Sequence, residues 1–205
     1  MTDRIRCSWA GDSDLYRDYH DFEWGQPLRG DDALFERLSL EAFQSGLSWI
    51  TILRKRPAFR AAFAGFAIEE VAEFGDAERA RLLDDAGIVR NRAKIEATIA
   101  NARVARDLDI GLDALLWSFA PTPRPRPRRI GDVPATTVES IAMAKELKRR
   151  GFRFVGPTTA YALMQATGMV DDHIAECWVG GEHWRTDPAV TFRTQVSVHS
   201  GDREE

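Results

Sequence analysis

The chain has 205 residues, 44% hydrophobic and 29% charged, which suits one globular domain with at most a small satellite. A formal net charge of −4 argues against a protein that coats nucleic acid by bulk electrostatics, and leaves a local basic face open. No run approaches the roughly 18 apolar residues of a membrane span, and the start MTDRIRCSWAGDSD lacks the apolar core of a secretory signal, so a cytoplasmic location is expected.

In chain order, nearly every periodic segment reads as helix. Residues 32–45 carry Leu34, Phe35, Leu38 and Ala42 at spacings of three and four, with Asp31 as N-cap and Gly46 as stop. A short helix over 48–55 is expected to end before Pro57, followed by short helices over 57–64 and 68–74. Residues 76–86 read as helix with Asp76 as cap and Gly87 as stop. Residues 91–108 form the longest amphipathic pattern, with Ile95, Ile99, Ala102 and Val104 facing the core, and 112–119 a short apolar one. Residues 121–134, with five prolines and four arginines, exclude helix and read as a polyproline-type, solvated connection. Helices return over 138–150 and over 157–167, where Pro157 suits a first turn. Strand signal is nearly absent, so the class is all-α. A helical domain over 1–180 and a polar, weakly ordered tail over 181–205 are expected, and the faint alternation over 190–198 lies in that tail.

Three groups of residues carry chemistry. Cys7, His20, His173 and Cys177 hold the ligand types of a closed tetrahedral zinc site, with His173 and Cys177 four apart in an expected helical turn. From spacing alone, a metal set and four unrelated buried side chains both stand open. The two cysteines of a cytosolic chain are not expected to form a disulfide. An aromatic group, Trp9, Tyr16, Tyr19, Trp24 and Trp49, surrounds Glu41 in the sequence. It reads either as core with a solvated acid at its edge, or as a flat pocket that stacks a planar ring and binds its edge. Residues 147–173 pair a basic helix end with a tight Gly151–Gly156 turn and a second helix. That is a DNA-binding hairpin or an ordinary helical hairpin with a charged flank. In the first case backbone N–H groups near Pro157 and Thr158 would hold a phosphate.

Four blocks, RCSWAGDSDLYRDYHDFEWG, LSLEAFQSGLSWITILRKR, DAGIVRNRAKIEATIANA and LKRRGFRFVGPTTAYALMQATGMVDDH, together resemble the bacterial 3-methyladenine DNA glycosylase I family over roughly residues 5–178. The resemblance implies the helix-hairpin-helix glycosylase fold and one structural Zn2+ per chain on Cys7, His20, His173 and Cys177, tying the two chain ends. It implies excision of N3-methyladenine from alkylated double-stranded DNA, leaving an abasic site. Glu41 would take the catalytic position on the base edge, with Tyr19, Trp49, Tyr16, Trp9 and Trp24 as the base pocket. Gly46 and Leu47 would probe the gap left by the flipped nucleotide, and Val155, Gly156 and Thr158 would meet the DNA backbone. Pro157, Thr158 and Thr159 stand where the superfamily's Schiff-base lysine would be, which argues against a lyase step. The chain is expected to act as a monomer with no membrane partner. Asp171 departs from the asparagine of the family pattern; it reads as a helix N-cap beside the metal set, or as a stabiliser of the sugar cation. Two other classes are compatible with these residues: a zinc-stabilised lesion binder without chemistry, and a zinc hydrolase. The hydrolase is disfavoured because four protein ligands leave no open position on the metal.

Overall fold

The computed structural model describes residues 4–11 and 13–180, so the expected tail over 181–205 lies outside the described residues. These fold into nine α-helices with no strand: α1 (Asp14–Phe22), α2 (Asp31–Gln44), α3 (Trp49–Ala62), α4 (Ile68–Ala72), α5 (Asp76–Asp84), α6 (Arg92–Arg106), α7 (Leu112–Trp117), α8 (Val138–Arg149) and α9 (Pro157–Ala166). No helix among the described residues is long and apolar enough to cross a membrane.

Helix α2 sits at the centre, packed by α3, α4, α6, α7 and α9. Its expected apolar stripe is only part of what it buries. Leu40 and Phe43 are also in the core, and so are the polar Arg37, Ser39 and Glu41. A helix packed by five others keeps little solvated face for its polar residues, and that takes Glu41 out of water. Each large apolar side chain buried here contributes about 1.5–3 kcal/mol.

Asp31 and Asp76 are not N-caps. Gly30 and Gly75 precede their helices, and the acids are the first helical residues. Asp31 instead caps a neighbour: its Oδ1 accepts from the Asp113 N–H at the start of α7, at 2.7 Å, while Asp113 Oδ2 accepts from the Gly30 N–H at 2.6 Å. Asp32 likewise accepts from the Ile68 N–H that opens α4, at 2.9 Å. These carboxylates join helix starts across the core rather than along the chain.

Pro57 does not end a helix; α3 runs through it. The ring lies on the exposed side, while Ile52, Leu53, Phe59 and Ala62 bury the opposite face continuously. The packing of that face outweighs one missing backbone bond. In α6, Ile95, Ile99 and Ala102 are buried as expected, but Ala105 takes the core position and Val104 is half-buried. Asn91 caps this helix, its Oδ1 accepting from the Lys94 N–H at 3.1 Å.

Helices α8 and α9 form the hairpin, capped by Thr137 at the start of α8 and opened by Pro157 in the first turn of α9. Asn101 of α6 pins the turn between them. Its Nδ2 donates to the Arg153 carbonyl at 3.0 Å and its Oδ1 accepts from the Arg153 N–H at 2.8 Å.

The segment over 171–180 contains no helix, so the expected helical turn at His173–Cys177 is absent. A tight turn, closed by the Cys177 N–H donating to the Ile174 carbonyl at 2.8 Å, brings the two side chains together instead. Asp171 is therefore not a helix cap. Its Oδ1 accepts from the His173 N–H at 3.3 Å and its Oδ2 from Arg126 Nε at 2.7 Å.

The proline-rich segment is extended, but it is docked rather than a free linker. Arg124 donates to Asp172 Oδ1 at 2.9 Å and to the Tyr161 hydroxyl; Arg126 Nη1 donates to the Val179 carbonyl at 2.7 Å; the Pro127 carbonyl accepts from the Ala175 N–H at 2.8 Å. Guanidinium groups on a polyproline-type chain reach acceptors on the C-terminal segment, which hydropathy cannot reveal.

Candidate active site

The two ends of the described chain meet at Cys7, His20, His173 and Cys177, all buried, with ligand atoms within 4.8 Å of one another. His173 Nδ1 lies 3.7 Å from Cys7 Sγ and 3.5 Å from Cys177 Sγ, and His20 Nε2 lies 3.5 Å from Cys177 Sγ. A tetrahedral zinc ion with ordinary Zn–S and Zn–N bonds needs sulfur-to-nitrogen edges of about 3.5–3.6 Å. The donor set and its spacing therefore fit that ion. The outward ring nitrogens are oriented too. His20 Nδ1 meets Asp21 Oδ1 at 2.8 Å, and His173 Nε2 meets the Trp24 carbonyl at 3.2 Å, the carboxylate and carbonyl partners that orient metal-binding imidazoles. Arg6 and the Trp178 indole N–H also donate to Asp21, at 2.9 and 3.2 Å. Burial would raise the Asp21 carboxyl, but His20 and Arg6 outweigh it and hold it at about 2. Gly25 belongs to this packing: a Cβ there would stand 3.1 Å from His173 Nε2, and its φ is +79°.

Beside this cluster lies a cavity of about 350 Å³. The six residues expected as base pocket and catalytic acid, Trp9, Tyr16, Tyr19, Trp24, Glu41 and Trp49, all line it. Helix α1 supplies the tyrosines, the segments around it Trp9 and Trp24, α2 Glu41, and the first turn of α3 Trp49. The rings brace one another at an angle. Trp9 stands 4.9 Å from Trp24 and 5.3 Å from Tyr16, and Tyr19 stands 5.4 Å from Trp49, centroid to centroid. Tilted neighbours of this kind hold an open face without collapsing into a stack.

Glu41 is 5% exposed and its carboxylate has no hydrogen-bond partner among the described residues. Burial pushes its pKa up to about 7, against the opposing pull of the Arg37 charge. Behind the wall, Arg37 donates to the Tyr19 hydroxyl at 3.1 Å and pairs with Glu23, which also pairs with Arg56. Burial would raise the Glu23 carboxyl, and the two guanidinium groups outweigh it, bringing it to about 2. The Trp49 indole N–H is buried with no partner among the described residues. The cavity thus presents aromatic faces and one under-solvated acid.

Sequence reasoning missed part of the lining. Gln44, Gln165 and Asp172 reach the cavity, as do Ile130 and Val133 from the far end of the proline-rich segment. Asp172 is buried and bound by Gln165 Nε2 at 2.8 Å, by Arg124 and by the Tyr161 hydroxyl. It, and not the half-exposed Asp171, faces the cavity. The adjacency Asp171-Asp172 gave no local signal for choosing between them.

The residues expected to meet DNA lie near the mouth and on the hairpin. Gly46, at φ 82°, and Leu47, 41% exposed, form the turn between Gln44 and Trp49, both of which line the cavity. Lys94 braces this turn, donating to the Phe43 and Ser45 carbonyls at 2.9 and 2.6 Å. At the start of α9, Gly156 and Thr158 are accessible, but Val155 as a whole residue is 1% exposed, so the expected DNA contact at Val155 is not available in this conformation.

A family model described as methyladenine glycosylase matches residues 9–180. The DNA-3-methyladenine glycosylase 1 of Escherichia coli (strain K12) is 42% identical over 178 residues, covering 84% of this chain and 95% of that protein. A crystal structure of a 3-methyladenine DNA glycosylase I superposes with a TM-score of 0.82 at 42% identity, over 85% of this chain and 98% of the other. A variant of a 3-methyladenine DNA glycosylase I in complex with 3-methyladenine superposes with a TM-score of 0.81 at 32% identity, over 87% of this chain and 98% of the other.

Proposed function

The chain belongs to the methyladenine glycosylase family, and on that premise we propose that it hydrolyses the N-glycosidic bond of N3-methyladenine in alkylated duplex DNA, leaving an abasic site. The observation that carries this reading is Glu41, a buried carboxylate without a protein partner in an aromatic cavity whose size suits a small planar ligand.

Methylation at N3 makes the purine cationic and weakens its glycosidic bond, so the leaving base needs no protonation and the enzyme needs no strong general acid. What remains is to extract the base, hold it and favour the developing charge. Glu41 accepts hydrogen bonds from the base edge and attracts its charge. Trp49 stacks on the ring, Tyr19 hydrogen-bonds beside it, and Tyr16, Trp9 and Trp24 complete the wall, adding cation–π attraction. Leu47, carried by the Gly46 turn, fills the gap left in the duplex. The backbone N–H groups of Gly156 and Thr158 take a phosphate at the α9 N-terminus. No lysine among the described residues lines the cavity, which supports a monofunctional enzyme without lyase action.

Cys7, His20, His173 and Cys177 hold one structural zinc ion, which supplies a cross-link between the chain ends and no open position for chemistry. The protein acts as a monomer in the bacterial cytoplasm.

The test is base release from methylated duplex DNA, with freed bases separated by chromatography. Free N3-methyladenine, with N7-methylguanine retained in the DNA, supports the reading. No release from folded, zinc-loaded protein favours the lesion-binder alternative.

A further inference from the structure

A phenol meets a ligand as donor or acceptor, and which one it offers depends on what else it bonds. The Tyr19 oxygen accepts from Arg37 Nη1 at 3.1 Å, and no other described residue hydrogen-bonds to it. A guanidinium carries five donors and no acceptor, so it can never take the Tyr19 hydrogen. Arg37 is also fixed. It is 5% exposed, its Nη2 pairs with Glu23, Glu23 is gripped in turn by Arg56, and the guanidinium carbon lies 5.4 Å from the Tyr19 ring centroid and 5.8 Å from that of Trp49. Arg37 does not line the cavity, whereas Tyr19 and Glu41 do. Glu41 follows Arg37 by four residues on α2, so one helix face carries the cation behind Tyr19 and the acid in the cavity.

We propose that Arg37 is a positioning residue: it occupies the acceptor side of the Tyr19 hydroxyl and turns the hydrogen toward the cavity, so that Tyr19 meets the base only as a donor. This rests on the base-reading role proposed for the cavity. A donor at Tyr19 beside an acceptor at Glu41 matches the adenine edge, which offers a ring nitrogen and an amino group, where guanine offers two acceptors. Without Arg37 the hydroxyl is free to accept or to rotate, and part of the discrimination is lost.

A double-mutant cycle isolates this effect, read by tryptophan fluorescence during titration with free 3-methyladenine. The parent, Arg37→Met, Tyr19→Phe and the double variant are compared. Arg37→Met is expected to weaken binding about tenfold when Tyr19 is present and by less than about twofold in the Tyr19→Phe background. Packing and long-range charge act in both backgrounds and cancel. Equal weakening in the two backgrounds, or none in either, overturns the proposal while leaving the base-reading role intact. A parent that binds no 3-methyladenine overturns both. Should Arg37→Met not fold, Arg37→Lys, which keeps a cation for Glu23, is run through the same cycle: a loss that depends on the Tyr19 hydroxyl supports the proposal, and one that does not overturns it.

Discussion

The Cys/His cluster and the aromatic cavity are neighbours that share Trp9 and Trp24 on their border, yet they treat buried polar groups in opposite ways. In the cluster every ring nitrogen and sulfur has a partner, and the partners of those partners, Asp21, Arg6 and Trp178, are paired as well. In the cavity the Glu41 carboxylate has none among the described residues. A saturated set of bonds holds a structure together, and an unsaturated one waits for a ligand. The difference separates the residues that should fail in stability from those that should fail in binding.

The largest effect is expected at the cluster. Cys177→Ser removes one of the four donors of the proposed zinc site, and the binding energy of a structural metal is folding energy. Zinc content by atomic absorption should fall below stoichiometric and the melting temperature by roughly 10 °C or more. Full zinc occupancy in that variant would contradict the ligand set.

Glu41→Gln should do the reverse in the cavity. Burial raises the Glu41 pKa to about 7, so the fold favours the neutral form. Below about pH 4.5 both folded and unfolded states are protonated and the acid costs nothing; as pH rises toward 7 and beyond, its ionisation becomes a penalty of about 3 kcal/mol. Glu41→Gln should therefore be more stable than the parent at pH 8 and equal to it near pH 4.5, by denaturant titration. In the parent, attraction for a cationic base should weaken as pH falls below about 7.

Asp172 lies on the boundary of the comparison, partnered like the cluster yet facing the cavity. Asp172→Asn should cost about 2 kcal/mol of stability, because Arg124, a third exposed, and Tyr161 lose a charged partner. Asp171→Asn should do least. Asp171 is half-exposed, away from the cavity and paired with Arg126, so single-turnover excision should stay within about tenfold of the parent. A loss of several hundredfold would place Asp171 in the chemistry.

Local pattern sufficed where one helix face decides the outcome, as at Ile95, Ile99 and Ala102 of α6 or at Pro157 opening α9. It failed where distant segments decide. Glu41 is buried because five other helices cover α2, not because of its neighbours in sequence. Asp31 and Asp32 look like local caps and serve other helices instead. Pro57 looks like a stop until the buried face it lies opposite is known. Arg124 and Arg126 read as solvated because their acceptors lie about fifty residues later in the chain. For the metal set, spacing supplied only two unconnected halves, and the family resemblance joined them before the geometry did.

The central claim is that Glu41 is a base-reading acid and not a structural one. The most direct test is single-turnover release of N3-methyladenine from alkylated duplex DNA by the parent and by Glu41→Gln, both folded and zinc-loaded, at pH 7.5. The account predicts release by the parent and a rate at least about a hundredfold lower in the variant, a barrier change of about 3 kcal/mol. Equal rates would remove Glu41 from the reaction and contradict the account.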